Sequence, residues 1–166
     1  MSRLCRRTSG ALAVLFLFMG ALGSPSGAFA YDRREGVVRW VIDGDTFVLS
    51  SGERVRLLGV NAPENEPWKN KVEPYGREAA QYAKKMLTGE KVYLEGDLEE
   101  KDKYGRTLAY VFLADGVFIN ERLVAEGLAR ARYYAPNGRY RVILRRAEEE
   151  AKKSGKGLWA LATRQF

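Results

Sequence analysis

At 166 residues, 46% of them hydrophobic, the chain suits one domain that buries its own core. It has one cysteine, Cys5, and no histidine. That excludes a disulfide framework, a zinc centre of Cys and His ligands, and any mechanism with a histidine base.

The first thirty residues read as a secretory signal. Arg3, Arg6 and Arg7 form a basic start, and residues 11–22 are apolar. Ser24-Pro25-Ser26-Gly27 breaks the run, and Ala28-Phe29-Ala30 is a small-x-small cleavage site before Tyr31. The apolar run is shorter than the ~20 residues a membrane span needs. Cys5 precedes it, whereas a lipid-anchored cysteine would follow. Residues 31–166 are therefore expected to be exported, to periplasm or medium, as a monomer with no stable membrane association. Without the signal they carry 25 basic and 21 acidic side chains, a mild excess that fits a polyanionic partner and many other surfaces.

Residues 37–60 read as strands: Val37, Val38 and Val41, then Phe47 to Leu49, then Val55 to Val60, with Ser51-Gly52 turning between the last two runs. Residues 61–71 are polar with two prolines and read as a loop that holds Lys69 and Lys71. Ala79, Ala80, Ala83, Met86 and Leu87 lie on one face of a helix over 75–87, which Gly89 stops. Strands follow at 91–95 and 107–113, and Asp115-Gly116 makes a tight turn. Asn120 is positioned to cap a short helix over 121–128. A last helix over 139–153 places Tyr140, Ile143, Ala147 and Ala151 inward. Five short strands with interspersed helices describe a small barrel packed on helices.

Three clusters carry chemistry. Ile42-Asp43-Gly44-Asp45-Thr46 sets hard carboxylate donors on a tight turn, suited to calcium, though also an ordinary Asp-Gly turn. Arg56 and Glu64 belong to the stretch 54–64, and Asp102-Lys103-Tyr104-Gly105-Arg106 reads alone as a charged hairpin tip. In order and spacing the three resemble the staphylococcal nuclease, or thermonuclease, family. So do the strings RLLGVNAPE, VEPYGREAAQYAKKML, DKYGRTLAY, ADGVFINERLVAEGLARA and a terminal GLW. The resemblance runs from about Gly36 to Trp159.

It implies an α+β fold, a five-stranded OB-type β-barrel with three helices, and a nuclease that cleaves DNA and RNA to leave 3′-phosphate ends. The cofactor it implies is Ca2+, held by Asp45, Asn61 and the Ala62 carbonyl. The catalytic residues it implies are Arg56, Arg106 and Glu64, the last positioning or deprotonating the attacking water. Asp43 matches an acid behind the metal ligands. Lys103 and Tyr104 flank Arg106, where they could touch phosphate. Tyr134 matches a tyrosine that lines the family's nucleotide pocket, and Arg132 replaces a second tyrosine there, with Tyr133 beside it. The chemistry is coherent, since a phosphodiester is already anionic and cationic groups around it stabilise the added charge of its transition state. Asn61 departs from the family's aspartate and removes one negative charge from the metal site. That leaves open a second reading, an exported OB domain that binds nucleic acid without cutting it.

Cleavage of the signal predicts that the exported protein begins at or near Tyr31 when its mass is measured. Recovery of the full-length chain from membranes would contradict this.

Overall fold

The computed structural model describes residues 33–67 and 70–162. The expected signal, its boundary at Tyr31, and Lys69 lie outside the described residues. In chain order the elements are β1 (Arg33–Asp43), β2 (Thr46–Leu49), β3 (Arg54–Leu57), β4 (Val60–Asn61), β5 (Asn65–Glu66) and β6 (Lys71–Val72). Then come α1 (Gly76–Leu87), β7 (Lys91–Glu95), β8 (Thr107–Leu113), α2 (Ile119–Ala125), β9 (Arg130–Ala131), α3 (Arg141–Lys153) and α4 (Leu158–Ala162).

Five strands close a barrel in the order β1-β2-β3-β8-β7. Only the β3–β8 pair is parallel. Closure depends on the length of β1. Arg33 to Val37 pair with β7, and Val38 to Asp43 pair with β2. Register shifts at Val38/Trp40 and Val41/Asp43 bend the strand between its two partners. This is the expected α+β fold, an OB-type barrel.

Alternation along the strands fills the barrel. Val38, Phe47, Leu49, Val55, Leu57, Val92, Leu94, Ala109 and Val111 are buried in one core. Ala79, Ala83 and Leu87 of α1 join that core, as periodicity predicts. On the other face of β8, Tyr110 and Phe112 stack with Phe118 and Tyr140 at centroid separations of 4.6–6.2 Å.

Four details differ from the sequence reading. Asn120 lies inside α2 and caps nothing there. Its fully buried amide accepts from the Val111 N–H at 2.9 Å and donates to the Leu58 carbonyl at 2.8 Å. Tertiary demand for those two bonds overrides the local capping preference. On α3, Leu144 rather than Ile143 faces inward, beside Ala147 and Ala151. Both residues fit a helical stripe, and Leu144 wins because it fills the space left by the missing side chain of Gly59. A fourth helix, α4, follows the three expected, and the 61–71 loop contains the small β5–β6 pair.

Among the described residues no helix is long and apolar enough to cross a membrane. Asn120→Leu removes both amide bonds without opening a large cavity. It is expected to destabilise the fold by about 2–6 kcal/mol, since each of the two orphaned buried groups costs ~1–3 kcal/mol. Denaturant unfolding measures the loss, and a shift under 0.5 kcal/mol, about the scatter of surface substitutions, would contradict it.

Candidate active site

The tip of the β1–β2 hairpin builds the first part of the site. The Asp45 N–H donates to Asp43 Oδ1 at 3.0 Å, which folds the turn back on itself. The Asp45 carboxylate, 4% exposed, then accepts from Thr46 Oγ1 at 3.1 Å and from the Ala62 N–H at 2.7 Å. These bonds pin the 61–64 segment against the hairpin. Gly44 is required at the contact: a Cβ there would lie 2.6 Å from the Ala62 Cβ and 2.8 Å from the Ala79 Cβ.

Arg56 stands opposite Thr46 on β3. Its side chain, 15% exposed, pairs through Nη1 with Asp45 Oδ1, and its Nη2 donates to Asn61 Oδ1 at 3.0 Å. Burial lowers the pKa of this guanidinium, and the charge of Arg106 adds to the effect. Asp43 draws it partly back. Burial also raises the Asp43 carboxyl, only partly offset by Arg56.

Arg106 enters β8 beside β3, since Val55 pairs with Thr107. Its Nε donates to Asp102 Oδ2 at 2.7 Å, while Asp102 Oδ1 accepts the N–H groups of Tyr104 and Arg106. Burial alone would raise the Asp102 carboxyl. The Arg106 N–H and guanidinium outweigh it and hold it below the usual carboxylate range. Glu64 sits on the segment before β5, paired with Lys71 Nζ at 3.0 Å. Its backbone is fixed too: the Glu73 N–H donates to the Glu64 carbonyl at 2.9 Å, and a Cβ on Gly76 would come within 2.2 Å of that oxygen.

The structure brings most of the expected residues together. One open cavity of about 540 Å³ is walled by Asp43, Asp45, Arg56, Ala62, Glu64 and Arg106. Asn61 does not reach that wall and lies behind it, bonded to Arg56. An adjoining cavity of about 570 Å³ shares Arg56, Tyr104 and Arg106, and adds Lys103 and Tyr134. Tyr104 is 66% exposed and carries the Lys103 and Arg106 cations over its ring at 5.1 and 5.4 Å. Tyr134 is 51% exposed, so neither tyrosine is a core residue.

Asp45 Oδ1 pairs with Arg56 Nη1 and Asn61 Oδ1 accepts from Arg56 Nη2, so both oxygens face the same guanidinium. All the donors are hard oxygens, as calcium prefers. Among the described residues no group of three or more Asp, Glu, His or Cys side chains forms a cage. Sequence reasoning placed Asp102 in its cluster without a role of its own, read Lys71 as a loop residue facing either nucleic acid or solvent, and gave no role to Gly76. The spacing of Asp102 four residues before Arg106 was a signal for the first. The other two contacts arise only when the loop closes on α1.

Fold and site define a class: a small OB barrel that collects two arginines and several carboxylates in one solvent-open cavity, equipment for an anionic ester. Residues 54–161 match the family model described as "Staphylococcal nuclease homologue". The chain is 49% identical over 126 residues to the thermonuclease of Staphylococcus intermedius, covering 74% of each protein. It is 46% identical over 134 residues to the thermonuclease of Staphylococcus hyicus, covering 79% of this chain and 78% of that one. Similarity to the endonuclease YncB of Bacillus subtilis (strain 168) is 42% over 124 residues, 72% of this chain and 58% of that one. The chain belongs to the staphylococcal nuclease family.

Gly76→Ala is expected to push the Glu64 backbone away from α1 and to destabilise the protein by about 1–3 kcal/mol, the usual range for overpacking. Unfolding and the amide chemical shifts of residues 62–65 read the two effects. Unchanged shifts at Glu64 would show that the contact does not set its position.

Proposed function

We propose that the chain is an exported, calcium-dependent nuclease that hydrolyses phosphodiester bonds of DNA and RNA. The observation that carries the proposal is the convergence of Asp45, Arg56, Glu64 and Arg106 on one open cavity. Asp45, Asn61 and the Ala62 carbonyl would hold the ion, which when bound supplies Lewis-acid charge beside a phosphate oxygen.

The protein's own groups do the rest. Arg56 and Arg106 grip the phosphate: a guanidinium has five N–H donors, and each of these two commits only part of its set to Asp45, Asn61 or Asp102. Both are anchored before substrate arrives, so little reorganisation accompanies the growth of charge in the transition state. Glu64 orients the attacking water or takes its proton as the new P–O bond forms and the ester oxygen leaves. Lys103, Tyr104 and Tyr134 flank the strand, with Tyr134 exposed enough to stack on a base.

Asn61 tunes the metal rather than the chemistry. With one charge fewer, calcium is expected to bind in the range of about 0.1–1 mM typical of extracellular sites. Export and weak binding are mutually consistent. A calcium titration of DNA and RNA cleavage, for the parent and for Asn61→Asp, tests this. The variant is expected to saturate at lower calcium, with maximal turnover changed less than the midpoint. Equal cleavage in excess chelator would refute the metal assignment. Silence of both proteins at saturating calcium would refute catalysis and leave the nucleic-acid-binding reading.

A further inference from the structure

A third cavity, of about 220 Å³, lies between the β9–α3 connection and α3, lined by Arg132, Tyr133, Gly138 and Arg141 among others. It shares Gly59 and Asn137 with the cavity that holds Lys103 and Tyr134, which in turn shares Arg56 and Arg106 with the candidate active site. The three form a series along one side of the barrel.

Two arginines of this third cavity are prepared but unspent. The Arg141 guanidinium lies 4.5 Å from the Tyr133 ring centroid, and that of Arg132 lies 5.8 Å from the Tyr134 centroid. Stacking uses the face of a guanidinium and leaves its edge N–H groups for another partner. Tyr133 is itself held in place, since its ring packs where Gly138 has no side chain. Neither arginine has an acidic partner among the described residues.

The helix sharpens the contrast. Farther along α3, Arg145 and Arg146 pair with Glu149 and Glu150 at i+4, and Lys152 pairs with Glu148. Arg141 instead has Arg145 at i+4, and the first turn contains no acidic residue. A cation beside a like charge at the positive end of a helix dipole is unfavourable unless an anion arrives. The second and third cavities together are lined by seven basic and three acidic residues, an excess that selects a polyanion.

We propose that Arg132 and Arg141 form a second phosphate-gripping station for a single polynucleotide strand, holding it beyond the phosphate cut at Arg56 and Arg106. This rests on the nuclease reading of that cavity. A single strand fits better than a duplex because only unpaired bases can stack on the exposed Tyr134 between the two stations. The contacts are to phosphate and ring faces, so DNA and RNA strands are held alike.

The test is the double variant Arg132→Ala/Arg141→Ala. Its KM for long oligothymidylate and oligouridylate is expected to rise about tenfold, from two exposed charge contacts of ~0.7 kcal/mol each. Cleavage of a thymidine dinucleotide, too short to span both stations, is expected to lose less than cleavage of the long strands, and circular dichroism reports that the variant is folded. The slope of log affinity against log salt for the long strand is expected to fall by about 1.4, at ~0.7 for each phosphate that the variant leaves unneutralised. A KM effect with one polymer alone contradicts a station that holds phosphate and ring faces of both alike. An unchanged KM for both, or equal loss on dinucleotide and long strand, overturns the proposal. Should the parent cut neither substrate, the nuclease reading fails separately. Fluorescence anisotropy of the labelled oligonucleotide then decides: weaker binding by the variant upholds the station, and equal binding removes it.

Discussion

The Asp45 carboxylate is the constraint on which the site depends. It lies almost wholly out of water and accepts from Thr46 on its own hairpin, from the Ala62 N–H on the next loop, and from Arg56 on β3. One side chain thus ties three separately folded pieces of chain to each other. A buried carboxylate is tolerable only when paired and fully bonded, and removing one partner of such a pair costs about 3–5 kcal/mol. The geometry of the site and the stability of that end of the barrel are therefore the same problem.

From that anchor the other groups follow. Ala62 is fixed by its bond to Asp45, which starts the 61–64 segment in a defined direction and delivers Glu64 to the cavity. Arg56 is held by Asp45 and Asn61, and the parallel pairing of β3 with β8 brings Arg106 alongside it. Two guanidiniums in one cavity repel, and the repulsion contributes to the lowered pKa of Arg56. Asp43 and Asp102 offset that repulsion from either side. An anion entering between them would relieve it further, so the cavity favours a negatively charged ligand.

Much of this was legible in the sequence. Alternating apolar runs gave the barrel strands, and Ala79, Ala83 and Leu87 gave the buried face of α1 because a helix repeats every 3.6 residues regardless of context. The site residues were legible only through the order of several short strings, each ordinary alone. What stayed hidden depended on chain segments far apart in sequence. Asn120 looked like a cap because capping is local, whereas its two bonds reach across to Val111 and Leu58. Ile143 and Leu144 were equivalent by periodicity, and only Gly59, about 85 residues earlier, breaks the tie. The close approaches at Gly44 and Gly76 were invisible for the same reason.

The central claim is that Asp45 both anchors the site and supplies the charged oxygen of a cation site. Isothermal titration of calcium into the folded protein and into Asp45→Asn, each with circular dichroism as a check on folding, tests it most directly. The amide keeps the size of the side chain and removes its charge. Weak but measurable calcium binding by the parent, lost in a folded Asp45→Asn, is the result the account predicts. Binding of calcium by the variant with the parent's affinity would contradict it.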